Sequence, residues 1–338
     1  MLNVAIIGAG RMGKIHFDAY KVIDGVKVTC AADVDIEGAK ARFNDPGVVF
    51  YKTQEELLAN EKVDIVDVCS PTYMHSEHIL YSLNKGLHTI CEKPVALTVD
   101  DAKKIADTAQ SSGVFFMVAQ VIRFWPEYEY LKKVYDEKTF GELNQVVFQR
   151  LGEMTKTAWQ DWMRDISKSG MAPIDLHIHD VDFIIHMLGK PKAVMSQLSQ
   201  KGTTVSSILS MYDYGSNLIV SAEGTWYDPV FPFSMSYRAS FEKGVLEYRS
   251  NKLMLYRNDG SSEQIQLEDV KENSNLNVGS VNGYLYELMY FTDCVKNKVP
   301  PSRITPQEPV ISLYTVMKEL ESAKTGKKMI LDIQEVSL

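Results

Sequence analysis

The stretch Val4-Ala5-Ile6-Ile7-Gly8-Ala9-Gly10-Arg11-Met12-Gly13 decides how the first third of this 338-residue chain is read. An apolar run ends at Ile7, three glycines follow in Gly-x-Gly-x-x-Gly spacing, and helical periodicity then begins. This is the pattern of a strand, a tight turn and a helix. Gly8 permits the turn, Gly10 lets backbone approach a pyrophosphate, and Gly13 lets the helix pack close to the strand. The phosphate would rest on the helix N-terminus, beside Arg11 and Met12. Asp33 lies twenty residues past Gly13, at the end of the second apolar run. A carboxylate there accepts hydrogen bonds from an adenosine ribose and repels a 2′-phosphate. Asp35 strengthens the same field, and no arginine follows Asp33 to receive a phosphate. NAD(H) is therefore expected over NADP(H).

Outward from this motif the chain alternates. Short apolar runs at 4–7, 26–32, 65–69, 89–91 and 114–119 read as buried parallel strands. Helical spacing occupies 12–22, 36–43, 54–59, 75–84 and 99–111 between them. Such alternation predicts an α/β fold, a Rossmann-type doubly wound parallel sheet, over 1–121. Thr98 followed by Asp100 and Asp101 predicts a capped helix start.

Past residue 121 the rhythm changes. A helix is expected over 126–137. Strands with alternating polarity follow at 143–151, 193–199, 205–212, 216–225, 235–240, 245–249 and 252–257. Helices are expected over 173–188, 279–296 and 307–324. This predicts a C-terminal α+β domain, 122–338, on a large, mostly antiparallel open sheet. Its C-terminal helix is expected to pack back on the first domain. The polar stretch 159–170 reads as a mobile lid.

Composition narrows the class. At 45% apolar and 24% charged the chain is ordinary for a globular protein, and its length suggests about two domains. The net charge of −8 argues against nucleic-acid and anionic-membrane partners. Cys30, Cys69, Cys91 and Cys294 form no CxxC pair and read as buried, reduced thiols. With no membrane-length apolar run and no signal-peptide pattern, a cytoplasmic protein is expected.

Two loops at strand ends fall where such sheets bind ligands: Ser70-Pro71-Thr72-Tyr73-Met74-His75 and Glu92-Lys93-Pro94. A lysine there lies near the nicotinamide end of a dinucleotide and can steady an alkoxide. The richest polar stretch is Asp175-Leu176-His177-Ile178-His179-Asp180-Val181-Asp182. As a strand it would align Asp175, His177 and His179 as metal ligands. As a helix it carries the apolar stripe Ile174, Ile178, Val181, Ile185 and Leu188, with Pro173 at the start and Gly189 at the stop. The helix fits better, and no metal is expected. Asp175 and His179 then share a face, an acid/base pair in which the carboxylate orients the ring. Arg123, Trp162 and Tyr227 are further candidates for substrate contact.

Taken together, Gly8–Gly13 with His16, Ser70-Pro71 through His75, Glu92-Lys93-Pro94, Asp175…His179 and the Glu321-to-Gly326 stretch resemble the Gfo/Idh/MocA oxidoreductases, the glucose–fructose oxidoreductase and inositol dehydrogenase group. The resemblance spans essentially the whole chain. It implies hydride exchange between nicotinamide and a secondary alcohol or ketone of a sugar, inositol or related polyol. It also implies a homodimer or homotetramer built on the open sheet. Lys93, Asp175 and His179 would be catalytic. Gly8, Gly10, Arg11, Met12, Gly13, Asp33, Ser70, Pro71, His75, Glu92 and Lys93 would bind cofactor. Met171-Ala172 departs from the glycine-rich run usual in the family. The rival readings are a glycoside-modifying enzyme that uses NAD without net redox, and an NAD-bound sensor.

Overall fold

A computed structural model describes residues 1–155, 158–202, 204–267 and 282–332. The elements run β1 (Leu2–Ile7), α1 (Arg11–Tyr20), β2 (Val26–Ala32), α2 (Ile36–Phe43), β3 (Val49–Tyr51), α3 (Gln54–Asn60), β4 (Ile65–Val68), α4 (His75–Asn84), β5 (His88–Glu92), α5 (Val99–Ser111) and β6 (Phe116–Ala119). Then come α6 (Pro126–Asp136), β7 (Leu143–Glu153), α7 (Ile166–Ser169), a π-helical segment (Ala172–His177) and α8 (Ile178–Leu188). There follow β8 (Ala193–Lys201), β9 (Thr204–Asp213), β10 (Ile219–Tyr227), β11 (Ser234–Phe241), β12 (Gly244–Arg249), β13 (Lys252–Arg257) and β14 (Ser262–Gln264). The chain closes with α9 (Asn282–Asn297), α10 (Glu308–Thr325) and β15 (Met329–Ile330).

Two compact units emerge. One holds 1–124 and, of the later described residues, 282–310; the other holds the described residues of 125–267 and 311–332. Helix α9 thus belongs with the first unit, while most of α10 belongs with the second. The start expected for α9, at 279–281, lies outside the described residues.

In the first unit β1–β6 form a parallel sheet in the order β3-β2-β1-β4-β5-β6. The order reverses between β1 and β4, which leaves a crevice at their carboxyl ends. Val4, Ile6, Ile65 and Ile90 are fully buried, and the aromatic faces of Phe17 and Phe43 stack at 4.3 Å. Leu288, Phe291 and Val295 of α9 join the same core. Helix starts follow local chemistry: Thr98 accepts the Asp101 N–H at 3.1 Å, and Asp35 accepts that of Gly38 at 3.0 Å. β3, three residues long, is a strand that apolar patterning does not show.

In the second unit nine strands run β14-β13-β12-β11-β7-β10-β9-β8-β15. All neighbours are antiparallel except β7 and β10. Along β7, Val146, Phe148 and Arg150 alternate inward, and Arg150 is 2% exposed. Its guanidinium meets Asp180 of α8 in a two-pronged ion pair, Nη2–Oδ1 2.7 Å and Nε–Oδ2 3.2 Å. The other face of the sheet leaves Met195, Leu209 and Met211 about half exposed, with Met195 opposite Met211 across β8 and β9.

The stretch expected as a lid is structured. A 3-10 turn spans Trp159–Arg164, and α7 is capped by Asp165, which accepts the Ser167 N–H at 2.9 Å. The single α-helix expected over 173–188 is corrected, because its first part is the π-helical segment. Among the described residues no helix is long and apolar enough to cross a membrane. All four cysteines are buried free thiols.

Candidate functional site

The glycine turn sits at the sheet's reversal point. Gly8 has φ +94°, and a Cβ on it would lie 2.6 Å from the Ser70 nitrogen. A Cβ on Gly13 would lie 2.1 Å from the Gly8 carbonyl oxygen. Both positions therefore exclude any side chain, and the reason is packing of backbone on backbone. Gly10 differs: a Cβ there would meet nothing within 4 Å. It is the N-cap of α1 and supplies no side-chain cap. The first-turn amides of α1 therefore keep no side-chain acceptor, and the space beside Gly10 is open. An oxyanion such as a pyrophosphate fits that cradle. Arg11 is exposed beside it, and half-buried Met12 packs on the core.

Asp33 is partly buried at the end of β2. Its Oδ2 accepts the Ala9 N–H and its Oδ1 the Asp35 N–H, each at 2.8 Å. The carboxylate is thus fixed against the glycine turn, and Asp35, not Asp33, caps α2. Arg42, in the last turn of α2, donates from Nε to the Ala9 carbonyl at 2.7 Å. Its Nη2 lies 3.9 Å from Asp33 Oδ2, and its Nη1 lies 3.7 Å from Asp35. The premise that no arginine serves this end of the crevice is overturned. Nine positions separate Arg42 from Asp33 in sequence, and the β2–α2 turn brings them together.

The Ser70 and Lys93 loops follow β4 and β5. Ser70 and Pro71 are half-buried at the crevice, and Ser70 Oγ lies 2.9 Å from His78 Nδ1. Burial holds His78 down, to about 4. Two expected cofactor residues turn inward instead. His75 is 1% exposed, with Nδ1 2.7 Å from the Pro94 carbonyl and Nε2 2.8 Å from that of Ser70. Its ring braces the two loops, and burial is the main cause lowering its pKa. Glu92 accepts from the Lys93 amide at 3.1 Å, and its other oxygen lies 3.1 Å from His16 Nε2. Lys93 itself is half-buried at the mouth of the loop.

Beneath Lys93 lies a buried polar group in which only Glu92 carried an expected site role. His16 of α1 places Nδ1 2.8 Å from Asp67 Oδ2 and Nε2 against Glu92; His16 and Asp67 are fully buried. Cys69 lies 3.4 Å from both His16 and Asp67. Glu287 of α9 is fully buried, and neither carboxyl oxygen has a hydrogen-bond partner. Asp67 carried a signal: it is a carboxylate inside the apolar run of β4. Glu287 carried none, because its place depends on α9 returning to this unit.

In the second unit, Asp175 lies in the π-helical segment and is buried, and His179 follows in the first turn of α8, half-buried. A π turn is wider than an α turn and recurs at functional positions. The segment is entered through Met171 at φ +55°, ψ −152°, a conformation essentially reserved for glycine. Met171 is held there by burial, its Sδ 3.1 Å from the Val205 nitrogen and its side chain against Met154. The backbone thus keeps a glycine-like shape where the sequence departs from glycine. His177 belongs to the core: Nε2 lies 3.1 Å from Glu319 Oε2 and 3.3 Å from Tyr212 Oη. Gly224 makes room for it, since a Cβ there would lie 2.7 Å from that of His177. The strand-type metal reading of Asp175, His177 and His179 fails, because the segment is helical and His177 is spent inside.

Arg123, a candidate for substrate contact, has interior partners. It is 1% exposed, and Nη1 binds Glu308 Oε1 at 2.6 Å and the Arg303 carbonyl at 2.9 Å. Trp162 is half-buried in the 3-10 turn. Tyr227, at the end of β10, packs its ring 4.6 Å from that of Phe231.

The fold and the glycine cradle define a nicotinamide-dinucleotide oxidoreductase architecture, and comparison with known proteins agrees. Residues 2–120 match the oxidoreductase family with NAD-binding Rossmann fold, and 128–247 match the GFO/IDH/MocA C-terminal domain. The chain belongs to the Gfo/Idh/MocA oxidoreductase family. It is 30% identical over 210 residues to the D-glucoside 3-dehydrogenase of Escherichia coli (strain K12), covering 61% of this chain and 60% of that protein. It is 27% identical over 260 residues to an inositol 2-dehydrogenase of Pseudarthrobacter chlorophenolicus, covering 74% of each. The chain thus spans about three fifths of the first relative's length. Levoglucosan dehydrogenase, solved with NADH and levoglucosan, shares the fold at TM-score 0.86 and 19% identity, over 97% of this chain and 99% of that one.

Proposed function

We propose that this protein transfers hydride between a nicotinamide cofactor and a secondary alcohol or ketone of a sugar, inositol or related polyol, with NAD(H) preferred. The carrying observation is the open cradle at Gly10 beside a clamped Asp33, in a member of this oxidoreductase family. The cofactor, when bound, supplies a two-electron hydride acceptor or donor. Gly8, Gly10 and Gly13 shape the phosphate cradle, Asp33 receives the ribose hydroxyls, and Ser70 and Pro71 line the crevice.

Lys93 binds the substrate oxygen and steadies its negative charge as the carbinol is oxidised. His179 takes the hydroxyl proton, and Asp175 orients that ring. A half-buried His suits proton exchange with solvent, whereas fully buried His177 does not. The half-exposed Met195, Leu209 and Met211 suit a sheet face covered by a second copy of the chain.

A panel of inositols, hexoses and glycosides, read as NADH formation, tests the function. One or more should respond, and His179→Ala should lose roughly 10²–10⁴-fold in kcat. Conversion of a glycoside without net NADH would replace this reading by a non-redox one. Unchanged turnover in His179→Ala would remove His179 from its role.

A further inference from the structure

Of every buried polar cluster in the protein, the one beneath Lys93 is the least explained. His16 faces carboxylates with both ring nitrogens, Asp67 at 2.8 Å and Glu92 at 3.1 Å. A neutral imidazole has only one N–H and would turn a lone pair toward one of those oxygens. The imidazolium donates to both. The surrounding groups are Tyr20 from α1, Asp67 from β4 with Cys69 just after it, Glu92 from β5, and Tyr284 and Glu287 from α9. With His16 charged, Asp67 and Glu92 ionised and Glu287 neutral, the cluster carries one net negative charge beside the Lys93 ammonium. Ionising Glu287 as well would place a second unmatched charge in a dry interior.

We propose that His16, Asp67, Glu92 and Glu287 form a buried positioning network for Lys93, in which doubly protonated His16 locks the Glu92 carboxylate onto the Lys93 amide and Glu287 is held as the neutral acid. The chain of contacts is continuous from Asp67 through His16 and Glu92 to the Lys93 N–H, the last at 3.1 Å. Electrostatics agree with it. Despite burial, which opposes the charge, Asp67 and neighbouring groups hold the His16 pKa well above 6.5. Burial, with Glu92 adding to it, pushes the Glu287 carboxyl well above 4.5. Ligand-type atoms of His16, Glu92 and Glu287 lie within 4.8 Å of one another. Since both His16 nitrogens already have carboxylate partners, a proton accounts for the arrangement without a metal. The consequence for turnover rests on the proposed role of Lys93; the protonation states do not.

The test uses the full-length protein. Nitrogen-15 histidine NMR should show both His16 nitrogens protonated at neutral pH, above the ordinary histidine value of about 6.5. Infrared difference spectroscopy should show a protonated carboxylic acid that disappears in Glu287→Gln. With a polyol that responds in the panel, Glu287→Gln should keep kcat, because an amide is a neutral isostere. Glu287→Leu should lose on the order of tenfold to a hundredfold in kcat with little change in the KM for NAD. A His16 ring with one bare nitrogen at neutral pH would overturn the network. So would a stoichiometric divalent metal, found by elemental analysis and lost in Glu287→Gln. The NMR readout on the unmodified protein needs no variant to fold. If Lys93→Ala keeps full turnover while the His16 and Glu287 signatures stand, the Lys93 role has failed and the network has not.

Discussion

The Asp33 carboxylate accepts the Ala9 N–H at 2.8 Å while the Arg42 guanidinium lies 3.9 Å from it and binds the Ala9 carbonyl. Cofactor choice is therefore a balance between one fixed anion and one nearby cation. Asp33→Ala removes the repulsion of a 2′-phosphate and leaves Arg42 to meet it. NADPH affinity should rise at least about tenfold relative to NADH, a difference of about 1.4 kcal/mol. Arg42→Ala in that background should cancel the gain. Both are read by nucleotide fluorescence titration.

Gly10 and Gly13 separate binding from folding. A Cβ on Gly13 has backbone 2.1 Å away, so Gly13→Ala should cost about 1–3 kcal/mol and lower Tm. A Cβ on Gly10 meets nothing within 4 Å, so Gly10→Ala should keep Tm yet weaken NADH binding by about tenfold or more. Equal NADH affinity in Gly10→Ala and the parent would place the phosphates elsewhere.

Arg150 and Asp180 are 2% and 0% exposed and satisfy each other in the second unit. Arg150→Met strands a buried carboxylate and should cost about 3–5 kcal/mol. Arg150→Met with Asp180→Leu should recover most of that loss. Thermal unfolding of the three proteins decides it.

The network beneath Lys93 has a pH signature of its own. Glu287 keeps its proton in the folded state above 4.5, and His16 keeps its own above 6.5. Stability from these groups is complete below those values and falls as pH rises toward the folded ones, by about 1.4 kcal/mol per pH unit for each group. Glu287→Gln removes one such slope. Its stability relative to the parent should therefore grow as pH rises above about 5 in paired denaturation curves. A constant difference would mean that Glu287 does not hold its proton.

Hydrophobic period and turn chemistry are local, so both sheets, the glycine turn and the cap at Thr98 were legible in the chain, whereas the Asp35 cap of α2 was not. Helices 36–43, 75–84 and 99–111 were legible to the residue. Strand β3 was not, since three half-exposed residues make no periodic signal. The Asp175/His179 stretch was recognisable as helical from its apolar stripe, but not as π-helical. That turn depends on Met171 being forced to positive φ by buried contacts from Met154 and Val205.

Sequence by itself determined the family, the cofactor-type cradle and the residue types available for proton and charge handling, because each is written in spacing along one strand, turn or helix. Tertiary structure alone decided which polar side chains remain at the surface of the crevice. His75, Glu92 and Arg123 were candidates by position, yet each is spent on an interior partner. Arg42, Asp67 and Glu287 acquire their settings only through folding. The physical reason is that burying a polar group demands a partner, and partners as far as 185 residues apart are chosen by packing.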